Sequence, residues 1–310
     1  MKYLIIGAGG TGGVVGFHMA QAGKDVTLIA RDAHLESIQQ KGLTLQTMWD
    51  ENTKTIPVKA SDMQHYKDRP DVILVCVKGY SLDGIYKFIR RIAKPQTIVI
   101  PILNIYGTGA KMQEKLPGML VTDGCIYVSA NIKEPGVILQ HGKILRIFFG
   151  VHQKEEKCQL LEQIQKDFRD SAIDGILSEQ IQRDALEKFS YVSPIGAAGL
   201  YLNATAGDFQ KEGKARELFC TMIREIVALA MAMGFPFEKD MVSVNLQILS
   251  NLPPEATTSM QRDVMAHRPS EVDGLVYEVV RMAHRYQVPV PAYEKVAQKL
   301  QGEIMCEKNS

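Results

Sequence analysis

Residues 4 to 16 read Leu4-Ile5-Ile6-Gly7-Ala8-Gly9-Gly10-Thr11-Gly12-Gly13-Val14-Val15-Gly16, an apolar run that breaks into Gly7, Gly9 and Gly12 at the spacing Gly-x-Gly-x-x-Gly. A buried strand that ends in a tight glycine turn and restarts as a helix leaves backbone N–H groups aimed at one spot, and a pyrophosphate fits that spot. Gly7 is expected to make the turn, Gly9 to let a dinucleotide approach the backbone, and Gly12, helped by Gly16, to let the helix pack close to the sheet. Gly7, Gly9, Gly10, Thr11 and Gly12 are therefore the first candidate binding residues. The flanks agree. Met1 to Ile6 has strand length, Gly12 to Ala22 carries Val14, Val15, His18, Met19 and Ala22 at helical spacing, and Asp25 to Ala30 returns as a second strand. Together they make a βαβ unit. The same short motif also occurs as a plain connecting turn.

The end of the second strand selects the cofactor. An NAD site places an acidic side chain there for the ribose 2′-hydroxyl, and an NADP site an arginine for the 2′-phosphate. The residues are Ala30, Arg31 and Asp32. A cation in that position attracts the phosphate where a carboxylate would repel it, so the sequence favours NADP(H). Asp32 turned inward would instead hold a hydroxyl, and Arg31 as a solvated loop residue is the plain alternative.

Composition sets the class. In 310 residues, 45% are hydrophobic and 23% charged, as in an ordinary globular protein. Lys and Arg number 36 against 35 Asp and Glu, for a formal charge of +1, so no broad field exists to hold nucleic acid or an anionic membrane. The ligand implied is a small molecule bound locally. Cys76, Cys125, Cys158, Cys220 and Cys306 are scattered, with neither metal-ligand spacing nor a disulfide framework. A strand beginning at Met1 leaves no room for a signal peptide, and the apolar runs are shorter than a membrane span. A cytoplasmic location is the expectation.

Further strand-like runs appear at Asp71 to Val77, Thr97 to Leu103, Leu120 to Val128 and Ile144 to Phe149, with charged helical segments between several of them. Such alternation specifies a mostly parallel sheet with helices on both faces. Val137 to His141, followed by Gly142, Lys143 and Ile144, reads as a hairpin closing the sheet edge, and Lys154 to Leu177 as a final helix and strand. From about Ser178 only helical patterns remain. Arg216 to Met233 has Leu218, Phe219, Met222, Ile223, Ile226, Val227 and Ala230 on one face and stops at Gly234 and Pro236. Ser270 to Tyr286 opens with Glu271 and Asp273 in its first turn, where carboxylates favour the helix dipole. These two apolar faces would pack within one chain or pair across a homodimer. The expected fold is α/β, an N-terminal Rossmann-type doubly wound sheet (residues 1–178) followed by an all-α C-terminal domain (residues 179–310), with the cleft between them as the default active site.

Three polar residues interrupt the pattern where structure alone does not need them. Lys78 follows the apolar run Val72 to Val77, Asn104 follows Thr97 to Leu103, and Lys188 lies among apolar residues in Leu186-Glu187-Lys188-Phe189. A single lysine of this kind is commonly a snorkelling residue. Together they carry a likeness. The chain resembles the ketopantoate reductases (2-dehydropantoate 2-reductases) over nearly its whole length: the glycine motif, Arg31, Cys76-Val77-Lys78, Asn104, Glu134-Pro135-Gly136 running into Gly142, Glu187-Lys188-Phe189, Thr258-Ser259-Met260-Gln261-Arg262-Asp263, and Arg268-Pro269-Ser270-Glu271-Val272-Asp273.

The resemblance implies NADPH-dependent reduction of a 2-oxo acid, with Lys188 as general acid toward the new alkoxide. It implies Glu271 on the substrate hydroxyl and paired with Lys188, Ser259 on the substrate carboxylate, and Asn104 and Lys78 orienting cofactor and substrate. Otherwise, Glu271 and Ser259 read as helix-capping residues. The departures concern the substrate. The family's catalytic lysine is followed by asparagines four and eight residues later, on the same helical side. Here those positions are Val192 and Gly196, and Ala206 and Ala256 also stand where asparagines are usual, although Gly207-Asp208-Phe209 keeps its place. Each lost amide removes on the order of 1 to 3 kcal/mol of discrimination for a polar substrate. The site is therefore expected to be more apolar, and Ser190, Tyr191 and Ser193 project from other sides of the helix. Two alternatives follow: a related reductase of a different 2-oxo acid or ketone, and an NADP-binding sensor that has lost catalysis. Retention of Lys188 and Glu271 argues against the sensor.

Overall fold

Alternate residues of the first strand enter two different cores: Tyr3 and Ile5 one, Leu4 and Ile6 the other. A strand buried on both faces belongs to the middle of a sheet with helices above and below. The protein, described as a computed structural model over residues 1–308 with side chains through residue 302, has that architecture. The side chain of Cys306 lies outside the described ones. The described residues form two compact units: Met1–Leu103 with Gly107–Ile181, and Asn104–Tyr106 with the chain from Gln182 onward.

The first unit is built on six parallel strands, β1 (Lys2–Ile6), β2 (Asp25–Ile29), β5 (Lys59–Ser61), β6 (Val72–Val75), β7 (Ile98–Pro101) and β8 (Leu120–Val121), in the order β5-β2-β1-β6-β7-β8. Numbered within the sheet this is 3-2-1-4-5-6, the doubly wound Rossmann order, whose strand order reverses beside β1. Helix α1 (Gly10–Gln21) supplies Val14, Val15, Phe17 and Met19 to one core. On the other face, α3 (Asp83–Ile92) supplies Ile85, Phe88, Ile89 and Ile92. The remaining helices of this unit are α2 (Asp32–Lys41), α4 (Thr108–Lys115) and α5 (Gln159–Asp170).

Two smaller sheets complete this unit, the first of them packed on α1. One has the order β10-β11-β3-β4, from Ala130–Glu134, Val137–Gln140, Leu43–Thr47 and Thr53–Ile56; the other, β13-β12-β9, comes from Asp174–Leu177, Arg146–Gly150 and Asp123–Tyr127. They correct the sequence reading in two places. The hairpin turns at Pro135-Gly136, with β10 pairing antiparallel to β11, whereas the strand after Gly142 pairs with β9 and β13 in another sheet. Gly136 has φ +80°, the left-handed conformation that makes it the turn residue. The run Leu120 to Val128 is two strands in two sheets, broken at Thr122. The helix and strand foreseen over Lys154 to Leu177 are α5 and β13.

The second unit is helical: α6 (Ile181–Leu202), α7 (Ala206–Gln210), α8 (Lys214–Ala232), α9 (Met241–Ser250), α10 (Ser259–Met265), α11 (Glu278–Tyr286) and α12 (Pro291–Lys308). Both apolar faces considered for a dimer are spent inside its own core, through Phe219, Met222, Ile223, Ile226 and Leu229 on α8 and through Val272, Val276, Val279 and Met282. Gly234, at φ +84°, ends α8, with the Phe235 amide bonding back to the Ala230 carbonyl. Helix α6 contains Pro194, which has no N–H for the Ser190 carbonyl one turn back. The side-chain amide of Asn245 on α9 donates to that carbonyl at 2.9 Å and so satisfies it. Among the described residues, no helix is long and apolar enough to cross a membrane, and no group of three or more His, Cys, Asp or Glu is placed to hold a metal ion.

Candidate active site

In the first unit the glycine turn leaves β1 with Gly7 at φ +101°, a conformation that disfavours any side chain. The amides of Gly7 and Ala8 both bond to the Ile29 carbonyl, which ties the turn to β2. A Cβ on Gly12 would collide with the Gly7 carbonyl oxygen and lie 3.0 Å from the Cys76 Cβ and the Ile5 Cγ2, so Gly12 is what lets α1 approach the sheet. Gly9 is different. A Cβ there meets nothing within 4 Å, although Gly9 stands at the N-cap of α1 with no side chain capping the helix. The first-turn amides of Gly10, Thr11 and Gly12 point along a helix with no acidic residue in that turn, an arrangement that stabilises a bound anion. Open space beside Gly9, at an uncapped twelve-residue helix, fits a pyrophosphate.

Arg31 directly follows Ala30 at the end of β2, stands at the N-cap position of α2 without a side-chain capping bond, and has a side chain 91% exposed, with its Nε 3.8 Å from the Asp32 carboxylate. The guanidinium is thus accessible to a phosphate at the strand's carboxyl end. Lys78 lies three residues past β6, half-buried at the start of the short helical turn Gly79–Ser81, its carbonyl bonded to the Ser81 amide.

In the second unit, Lys188 is 8% exposed on α6 and its Nζ donates to the Asn104 Oδ1 at 2.7 Å. Residues 104–106 therefore belong with the helices by contact, although they follow a strand of the sheet in sequence. Glu271, 4% exposed, opens the segment leading into α11 through a π-helical turn, Asp273–Tyr277. A Cβ on Gly274 in that turn would collide with Ile105, so the missing side chain brings Glu271's segment against the neighbour of Asn104. Ser193, also on α6, donates to the Leu275 carbonyl at 2.6 Å and meets the Tyr293 hydroxyl at 2.6 Å, pinning the π-helical turn to the helix that carries Lys188.

Ser259 is the first residue of α10. Thr258 caps that helix, accepting from the Gln261 amide, so capping does not explain Ser259. Val192 and Gly196 follow Lys188 along α6, and a Cβ on Gly196 would lie 2.8 Å from the Met260 Cε, so the thioether of α10 fills the space a side chain there would take. Ala206 and Ala256 are joined through their backbones, amide to carbonyl, at 2.9 Å. Ser190 is engaged inside the unit, donating to the Glu187 carbonyl and accepting from Asn245. Sequence reasoning missed Asn245, Met260 and Tyr293. Pro194 was the available signal for Asn245, because an interior proline leaves a carbonyl that another group must serve.

Comparison with known proteins gives the family. Residues 3–154 match the model "Ketopantoate reductase PanE/ApbA" and residues 180–303 the model "Ketopantoate reductase PanE/ApbA C terminal". The chain belongs to the ketopantoate reductase family. A 2-dehydropantoate 2-reductase of Pyrococcus abyssi (strain GE5 / Orsay) is 29% identical, the match covering 94% of each chain. Among solved structures, a 2-dehydropantoate 2-reductase from Geobacter metallireducens GS-15 superposes with a TM-score of 0.88 at 21% identity, covering 98% of this chain and 100% of that one. D-mandelate dehydrogenase in a ternary structure with NADH and anilino(oxo)acetate gives 0.86 at 18% identity, covering 97% and 98%. These ketopantoate reductases and the mandelate enzyme are oxidoreductases, and the structural likenesses establish the same fold.

Proposed function

We propose that this chain is an NADPH-dependent reductase of a 2-oxo acid, with 2-dehydropantoate as the first substrate to test and pantoate as its product. The observation that carries the reading is Lys188, an ammonium held at 8% exposure and aimed by a 2.7 Å bond to Asn104. A buried lysine oriented by an amide costs desolvation and gives the core no packing that leucine would not give better, which supports a chemical use for it. NADPH, when bound, supplies a hydride to the keto carbon. Lys188 then donates a proton to the oxygen, completing the alcohol. Asn104 holds the ammonium in one direction, Glu271 accepts from the substrate hydroxyl, and Ser259 donates to the substrate carboxylate. Lys78 orients the cofactor, and the amides of Gly10, Thr11 and Gly12 hold its pyrophosphate while Arg31 meets the 2′-phosphate.

A second reading has its own observation. Val192 and the Met260-filled space at Gly196 give the stripe beyond Lys188 no amide for a substrate hydroxyl, which favours a 2-oxo acid with an aliphatic or aromatic side chain. Titration with NADPH and NADH tests the cofactor, and a preference for NADH would refute the role given to Arg31. Following NADPH oxidation with 2-dehydropantoate beside a panel of branched and aromatic 2-oxo acids then separates the two enzymatic readings. No turnover with any of them would leave a binding protein.

A further inference from the structure

The hairpin of β10 and β11 does more than extend a small sheet. It packs on the first turn of α1: a Cβ on Gly10 would strike the Ala130 carbonyl, and one on Gly13 would lie 2.7 Å from the Ile138 side chain. Its tip is fastened to α2 by two side chains. Ser37 donates to the Pro135 carbonyl at 3.0 Å, and the Gly136 amide donates to the His34 Nδ1 at 3.0 Å. The second ring nitrogen, Nε2, lies 2.8 Å from the Ala8 carbonyl oxygen. Since Nδ1 accepts, the ring proton sits on Nε2 and is donated to Ala8, so a single neutral imidazole bridges the glycine turn and the hairpin turn.

Ala8 lies between Gly7 and Gly9, and its amide is bonded to the Ile29 carbonyl. With His34 on its carbonyl, the Ala8 residue is held on both sides. A turn fixed in this way loses less conformational freedom when it closes on an anion. We propose that His34, together with the Pro135-Gly136 turn, clamps the glycine turn in its receiving shape, and that His34 is a positioning residue for dinucleotide binding. The inference rests on the cofactor reading given above. It also gives Glu134-Pro135-Gly136, which no chemical step uses, a place in the protein.

The experiment compares wild type, His34→Ala and His34→Gln by NADPH titration and by amide hydrogen exchange of residues 4–16 in the unliganded protein, with thermal unfolding to confirm that each variant folds. His34→Ala should raise the Kd for NADPH about tenfold, the cost of ordering roughly one residue's backbone at the moment of binding, and should speed exchange in the glycine turn. Its kcat at saturating NADPH should stay within about twofold of wild type, because His34 acts on binding alone. His34→Gln keeps a donor for Ala8 and should recover affinity to within about threefold. Unchanged affinity or unchanged exchange in His34→Ala, beside a wild type that binds, would overturn the clamp alone. A wild type that binds neither NADPH nor NADH would overturn the cofactor reading and the clamp with it. Should His34→Ala fail to fold, Gly136→Ala tests the contact from the other side, where a side chain would strike Ser37; unchanged NADPH affinity there would also overturn the clamp.

Discussion

Gly9 and Gly12 sit three residues apart and should respond to alanine in opposite ways. At Gly9, φ is −71° and ψ −164°, a conformation open to any residue, and a Cβ meets no protein atom within 4 Å. The stability of Gly9→Ala without ligand should therefore stay within about 0.5 kcal/mol of wild type. A bound pyrophosphate changes the result, because the new methyl takes up the space through which it reaches the amides of α1. Overpacking of that kind costs about 1 to 3 kcal/mol, which is roughly 5- to 150-fold in Kd. Gly12→Ala drives its methyl into the Gly7 carbonyl oxygen, with no flexible side chain to yield, so it should lose roughly 1 to 3 kcal/mol of stability before any ligand is added. Urea unfolding and NADPH titration of both variants make the comparison. If Gly9→Ala bound NADPH as wild type does, the pyrophosphate would not lie at this turn.

Other consequences can be measured separately. Arg31→Ala removes a side chain that is 91% exposed, so it should leave the unfolding midpoint unchanged while weakening NADPH about tenfold and NADH hardly at all; equal losses for both would contradict its role. Asn245→Leu leaves the Ser190 carbonyl without its donor in a buried place, and urea unfolding should show a loss of about 1 to 3 kcal/mol. Burial holds the His18 and His34 imidazoles below the ordinary value of 6.5. The unfolded chain then binds more protons than the folded one as pH drops, so this stability is complete above pH 6.5 and is lost on acidification below it. Chemical denaturation at a series of pH values should show that slope, and His34→Gln should make it shallower.

Much of the first unit was legible because its signals are local. In β1–α1–β2 the strand period, the glycine spacing and the helical period follow one another without a gap, and β1 pairs with β2, the next strand in sequence. The helical character after Ser178 was equally plain. What escaped depends on distant pairing. Thr53–Ile56 and Lys59–Ser61 are short, polar edge strands, recognisable only through their partners Leu43–Thr47 and β2. The hairpin lies on the other side of Val137 from the one the sequence suggests, because both Gly136 and Gly142 are possible turns and only pairing with Ala130–Glu134 decides between them.

The candidate site divides along the same line. Gly7, Gly9, Gly12 and Arg31 were read from one contiguous unit. Lys188 and Asn104 were singled out as polar interruptions, but their 2.7 Å bond joins residues 84 positions apart, and no periodicity encodes it. The replacement at Gly196 was visible as a missing amide. That Met260 occupies the space was not, since the contact depends on how α10 packs against α6.

The most direct measurement is the pre-steady-state and steady-state oxidation of NADPH by wild type and Lys188→Ala with 2-dehydropantoate and the 2-oxo acid panel, alongside NADPH titration of both proteins. Wild type should form one 2-hydroxy acid per NADPH consumed. Lys188→Ala should bind NADPH within about twofold of wild type yet turn over at least about 100-fold more slowly. A Lys188→Ala protein that kept its turnover would contradict the role of Lys188 as general acid.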